Sequence, residues 1–180
     1  MPRIPLVNDD TANPEAGATL SRFKELWQGD WNLARVLANA PALADAFGAF
    51  WDGLQKTSLR RADREVIALE MAVTNDCHYC KPAHIMVARE HGLPDDRIKD
   101  VLSGRLVSDP RGRLIQRLVR RVMATKGKLS DREFEEFQAQ GLTQREMLEV
   151  VGEIAVSTLT NFTNRLAQTE TDDFLKGVRI

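Results

Sequence analysis

The sequence predicts an all-α fold, on three observations. Apolar residues recur at three- and four-residue spacing through most of the chain. No convincing run of alternating apolar residues marks a strand, and β-branched clusters are scarce. Two capping boxes, Ser130-Asp131-Arg132-Glu133 and Thr143-Gln144-Arg145-Glu146, open helices in the C-terminal half.

Taken in order, residues 1–18 hold Pro2, Pro5, Pro14 and Gly17 and read as an extended arm that could lie across a neighbouring subunit. Residues 19–180 read as one helical domain, with no linker and no strict internal repeat. A short helix is expected over 20–28, ending near Gly29, and another over 31–39, stopping before Pro41. The segment 42–54 carries Leu43, Phe47, Phe50 and Trp51 at helical spacing. The segment 60–74 places Ala62, Val66, Leu69 and Val73 on one stripe. A helix over 77–91 follows the good N-caps Asn75 and Asp76 and stops at Gly92. Next come 95–103 behind Pro94, and 111–126 with Ile115, Leu118, Val119 and Val122 inward and arginines outward. The first capping box opens a short helix. The second opens a long apolar one containing Met147, Leu148, Val151, Ile154, Ala155, Leu159 and Phe162.

The chain has 180 residues, 43% hydrophobic and 28% charged, with a net charge of −1. That composition is globular and excludes disorder. The charge balance argues against bulk attraction to nucleic acid or to an anionic membrane. No apolar run approaches the roughly 20 residues needed to span a bilayer. The first residues carry Asn8, Asp9 and Asp10 and lack the apolar core of a signal peptide, so a cytoplasmic location is expected. Both cysteines sit in one CxxC pair. In a reducing compartment that points to redox or metal chemistry rather than to a structural staple.

The stretch from Glu65 to His84 carries the chemistry. Cys80 and His84, four apart, lie one above the other on a helix, and Cys77 falls on the same side. The two sulfurs begin the helix, where free N–H groups and the macrodipole favour a thiolate. Peroxide reduction, disulfide exchange and metal ligation all need that thiolate. Glu65 flanks the apolar stripe of the preceding helix and would be partly buried, which suits a general base. Spacing does not single it out, because Glu70 could turn inward instead.

Glu65, Cys77, Cys80 and His84 match in type and spacing the signature of the alkylhydroperoxidase D-like branch of the carboxymuconolactone decarboxylase superfamily. Gly141-Leu142-Thr143 and Asn161-Phe162-Thr163-Asn164-Arg165 also resemble the second half of its peroxidase-related proteins, so the resemblance spans about residues 20–170. It implies a compact multi-helix domain with the CxxC at a helix N-terminus, assembled as a trimer or hexamer. It further implies a thiol peroxidase cycle. Cys80 would attack a small-molecule peroxide, Cys77 would resolve the sulfenic acid to a disulfide, and Glu65 and His84 would relay the proton through a water. No cofactor is implied, but an external dithiol reductant or adaptor protein is required. One departure is visible: where the best-known member carries a further relay histidine, this chain has Tyr79. Tyr79 is read as lining the substrate pocket, with helix-start packing as the alternative.

Other readings stand beside this one. The Cys77–Cys80 pair could be a non-catalytic redox sensor or interaction switch. Cys77, Cys80 and His84, with Glu65 or Asp76, could form a zinc-binding structural module. His78 is read as solvent-facing and His91 as a helix-end residue complementing the dipole. Trp27, Trp31, Trp51, Phe47 and Phe50 are read as core or interface residues that could wall a channel to Cys80. Arg111, Arg113, Arg117, Arg120, Arg121, Lys126 and Lys128 read as a solvated face, with docking of an acidic reductant a lesser option and nucleic-acid binding a remote one. Asn161, Asn164 and Arg165 are read as a subunit contact.

Overall fold

A computed structural model describes residues 2–179. Nine α-helices and two 3-10 turns, Asp9–Thr11 and Asp173–Leu175, make up the described elements, and no strand occurs among the described residues. The helices are α1 (Pro14–Trp27), α2 (Asn32–Leu37), α3 (Pro41–Leu54), α4 (Arg61–Thr74), α5 (Cys80–Glu90), α6 (Asp95–Leu102), α7 (Pro110–Thr125), α8 (Asp131–Ala139) and α9 (Gln144–Ala167). The all-α expectation therefore holds. Both capping boxes form, with Ser130 and Thr143 each accepting from the backbone N–H three residues on.

α4 is the axle of the fold. It packs against α5, α6, α7 and α9. Consequently it is buried on nearly every side, with Val66, Ile67, Leu69, Met71 and Ala72 in the core. Three carboxylates on this helix are buried as well: Asp63, Glu65 and Glu70. Buried carboxylates need partners. Asp63 is held by Arg60 and Arg111, and these guanidiniums keep its carboxyl below the usual range against the opposing pull of burial. Glu70 is held by Arg120 (2.6 and 3.0 Å) and by the Gln116 amide (2.6 Å). Glu65 instead meets a histidine.

The structure corrects two sequence expectations here. First, α1 begins at Pro14, because the Asn13 side chain caps the Ala16 N–H (2.8 Å) and proline is favoured at the first helical position. The arm is thus shorter than residues 1–18. It lies on its own chain: Arg3 N–H donates to Ala167 O, Val7 N–H to Arg35 O, and Asn39 Nδ2 to Pro5 O. Second, the arginines of α7 are not simply turned to solvent. Arg111 and Arg120 reach inward to Asp63 and Glu70, while Arg117 and Arg121 meet Gln140 and Glu133. These four are committed to partners within the chain. The apolar residues of α9 divide between two faces. Met147, Val150 and Ile154 face the core, but Leu148, Val151 and Phe162 are 73%, 46% and 55% exposed.

Candidate active site

The α4–α5 turn sets the site. Asp76 N–H donates to Val73 O and Cys77 N–H to Ala72 O, while Asp76 takes a left-handed φ of 47°. This is a Schellman stop, with Asp76 at C′ and Cys77 at C″. Cys77 opens the turn that leads into the next helix: its carbonyl accepts from Lys81 N–H and its Sγ accepts from Cys80 N–H (3.1 Å). The regular helix begins at Cys80, three residues later than the sequence suggests, with Tyr79 at the N-cap position. A backbone donor at that helix start is aimed at sulfur, as a redox dithiol requires.

Cys77 and Cys80 are joined as a disulfide, with Cα atoms 5.3 Å apart. Both are buried; Cys80 is 3% exposed. His84 lies one turn on, and its Nδ1 meets Glu65 Oε2 at 3.0 Å. An ionised carboxylate only accepts, so Nδ1 carries the hydrogen and Nε2 is left as the basic nitrogen. The choice between Glu65 and Glu70 is now physical. Glu70 is neutralised by an arginine on the α7 side, whereas Glu65 has a partner that can gain and lose a proton.

His84 makes no direct hydrogen bond to Cys80. Among the described residues, the polar side chain that reaches Cys80 Sγ is Asn164 of α9, through Nδ2 at 3.5 Å. Asn161 accepts from Asn75 Nδ2 (3.0 Å), and Arg165 donates to the carbonyls of Asn75 and Asp76. Asn161 and Asn164 are fully buried within their own chain. This segment clamps the CxxC turn, which corrects its reading as a subunit contact.

Sequence reasoning also missed Glu153. It is buried on α9 and paired with Arg64 (2.5 Å), which in turn donates to Gln55 Oε1 (2.8 Å). Burial pushes the Glu153 carboxyl up, against the pull of Arg64. The charge on Glu65 adds to the rise and that on His84 opposes it. Its signal was its register: Glu153 falls among Val150, Ile154 and Ser157 on the inward face, with no basic residue four positions away.

Tyr79 is a packed residue, and its placement corrects the substrate-pocket expectation. It is 2% exposed, its hydroxyl donates to Asp172 Oδ2 (2.5 Å) and accepts from Leu33 N–H (3.4 Å). Burial and the neighbouring carboxylate push the phenol up, and burial also pushes Asp172 up. Tyr79→Phe leaves Asp172 with Asn32 N–H as its remaining partner (2.9 Å). The expected cost is about 1–3 kcal/mol of stability, read by urea denaturation, with little change in activity. A large loss of activity at unchanged stability would show that the hydroxyl acts in the chemistry.

His78 is exposed and meets Thr169 O (2.9 Å). His91 caps α5 at its C-terminal end. The residues offered as a fourth metal ligand are engaged elsewhere: Asp76 pairs with Lys81 (2.6 Å) and Glu65 with His84. Among the described residues no group of three or more His, Cys, Asp or Glu converges as a metal site. An open groove of about 470 Å³ runs along α5 beside His78, Lys81, Pro82 and Ile85, and neither cysteine lines it. Trp27, Trp31 and Trp51 pack with Phe23 and Phe47 in the same apolar cluster as both cysteines. Phe50, by contrast, is 41% exposed.

Fold and site together define a helical protein with a buried CxxC disulfide beside a carboxylate–histidine pair. Residues 41–109, which carry that site, match the family model described as the carboxymuconolactone decarboxylase family. The fold is that of alkylhydroperoxidase D-like proteins, as the resemblance implied. A peroxidase-related protein from Ralstonia eutropha JMP134, described as an alkylhydroperoxidase AhpD core, superimposes with a TM-score of 0.85 at 20% identity, over 97% of this chain and 94% of that one. A peroxidase-related protein from Silicibacter sp. TM1040 gives 0.82 at 18% identity, over 98% and 96%. A variant of the debrominase Bmp8, solved in complex with 2,3,4-tribromopyrrole, gives 0.78 at 14% identity, over 98% and 95%. No curated protein matches the chain.

Proposed function

We propose that the protein is a thiol-dependent peroxidase that reduces hydroperoxides through a Cys77/Cys80 dithiol–disulfide cycle. The single observation that carries this reading is the Glu65–His84 hydrogen bond on the helix that begins at a buried CxxC. The structural carboxylates of α4 are neutralised by arginine; this one is paired with an imidazole, which carries both a donor and an acceptor nitrogen. A redox sensor needs the disulfide but not that pair.

In the cycle, the Cys80 thiolate attacks the hydroxyl-bearing oxygen of the peroxide. The O–O bond breaks, Cys80 becomes a sulfenic acid, and the departing alkoxide takes a proton from the Glu65–His84 pair. Cys77 then displaces water and forms the disulfide. An external dithiol or adaptor protein returns both thiols, and no bound cofactor takes part. The aromatic cluster around the cysteines favours hydroperoxides with an apolar organic group over hydrogen peroxide. The setting proposed for the cycle is the cytoplasm, where dithiol donors abound. Among the described residues no helix is long and apolar enough to cross a membrane.

The test is steady-state hydroperoxide consumption with a dithiol donor. Turnover saturating in cumene hydroperoxide, and more efficient than with hydrogen peroxide, is the expected result. Consumption no faster than donor alone would end the reading.

The proposed homo-oligomer has a surface to form through. On α9, Leu148, Ala155, Phe162 and Leu166 follow one another at spacings of seven, seven and four. Leu148 and Leu166 are 73% and 65% exposed. A seam of this kind on a 24-residue helix suits the same seam on a second copy. The double variant Leu148→Arg, Phe162→Arg is expected to lower the mass measured by light scattering to that of a smaller species. An unchanged oligomer would place the contact elsewhere.

A further inference from the structure

We propose that Asn164 is a catalytic residue of this site, its amide nitrogen stabilising the Cys80 thiolate and its carbonyl oxygen holding the hydroperoxide being attacked. This rests on the peroxidase reading above.

α9 carries a polar stripe on its inward face: Glu153, Ser157, Asn161 and Asn164, spaced four, four and three apart and at most 5% exposed. One end of the stripe interacts with the charges of Glu65 and His84, and the other touches Cys80. Asn164 is fully buried. A disulfide or thiolate sulfur can only accept, so the amide turns its nitrogen to Cys80 and its oxygen away. In a buried site a donor aimed at an anion is strengthened by the low local dielectric. His84 offers no such direct contact, so Asn164 is the side chain placed to steady the charge on Cys80.

Asn164 Oδ1 has no partner among the described residues, and neither has Asn161 Nδ2. An unpaired buried polar atom is destabilising, so an apolar residue would serve a purely structural role better. The pair of atoms suits a hydroperoxide, which has one O–H donor and two accepting oxygens. Its O–H donates to Asn164 Oδ1, and Asn161 Nδ2 donates to an oxygen of the O–O bond. When the thiolate attacks, the S–O bond forms and the O–O bond breaks. The sulfenic O–H stays on Asn164 Oδ1, and the alkoxide leaves as alcohol with a proton from the Glu65–His84 pair. Asn161 is itself fixed by Asn75 in the turn before Cys77.

The test uses the full chain with Cys77→Ser, so that Cys80 is the one thiol present. Its ionisation is followed by thiolate absorbance in the far ultraviolet across pH. The other titratable groups on elements around Cys80 are Lys81 and His84 on α5, Glu65 on α4, Glu153 on α9, and Tyr79 with Asp172; all are kept. Adding Asn164→Ala is expected to move the titration midpoint up by about one pH unit, an about tenfold loss of thiolate below the midpoint. The second-order rate with cumene hydroperoxide at neutral pH should fall at least as much. Asn164→Asp, of the same shape, should move the midpoint up further, and it carries the test if the alanine variant fails to fold. Midpoints equal to that of the Cys77→Ser parent in both variants would overturn the proposal. If the parent itself did not react with hydroperoxide, the peroxidase reading would fail. If the parent reacts and the midpoint stays put, only the role of Asn164 fails.

Discussion

Cys80→Ser is expected to reduce hydroperoxide turnover to the rate of the dithiol donor alone, a fall of at least about 10³-fold, the scale of removing a nucleophile. A serine hydroxyl is not ionised near neutral pH and cannot pass through a sulfenic acid, so no residual cycle is available. Stability should change little, because serine nearly matches cysteine in size and Asn164 Nδ2 can donate to its oxygen. Cys77→Ser should behave differently, since it keeps the attacking sulfur and loses the resolving one. One equivalent of hydroperoxide is consumed per chain, and turnover then stops. Single-turnover and steady-state assays on the two variants check this. The reverse pattern would interchange the roles of the two cysteines. Cys77 does hold a backbone donor at the helix start, so this comparison discriminates between two placed sulfurs.

Glu65→Gln and Glu70→Ala should separate chemistry from stability on one helix. Glu65→Gln removes the carboxylate that fixes the His84 tautomer and balances its charge. Turnover should fall by about 10²–10⁴-fold, the range for general acid–base groups, with a small change in stability. Glu70→Ala leaves Arg120 and the Gln116 amide without their carboxylate. Breaking a buried pair of this kind costs on the order of 3 kcal/mol, at the low end because the Arg120 side chain stays 35% exposed. Turnover at temperatures where that variant is folded should be near normal. Denaturant midpoints and kcat measured on both variants give the answer. If Glu70→Ala abolished turnover while remaining folded, or Glu65→Gln left it intact, the assignment of the general base would be wrong.

Much of this was legible in the sequence, for local reasons. The capping boxes, the CxxC–histidine spacing and the stop at Gly92 depend on residues within one or two turns of each other. The α1 start was equally local, in Asn13-Pro14, but the prolines of the first residues pointed to an extended arm. What the sequence hid was long-range. Glu65 and Glu70 look alike on a helical wheel; Arg120 and His84, from two other helices, tell them apart. Asn164 lies 84 positions from Cys80 and Glu153 lies 89 from Arg64. Only the packing of α9 on α4 and α5 brings them to the site. α9 also reads as a largely apolar helix, and the division into a polar inward stripe and an exposed seam emerges only when its neighbours are known. Tyr79 was drawn to the pocket by its neighbours in the chain, but Asp172, far along the sequence, holds it in the core.

Oxidation of Cys80 by hydroperoxide is the step on which everything else depends, and trapping its product tests it most directly. Cys77→Ser protein is treated with one equivalent of cumene hydroperoxide in the presence of dimedone and digested for mass spectrometry. The expected result is one dimedone adduct per chain, on the peptide bearing Cys80, and none without peroxide. An unmodified Cys80 after the peroxide has been given time to react would contradict it.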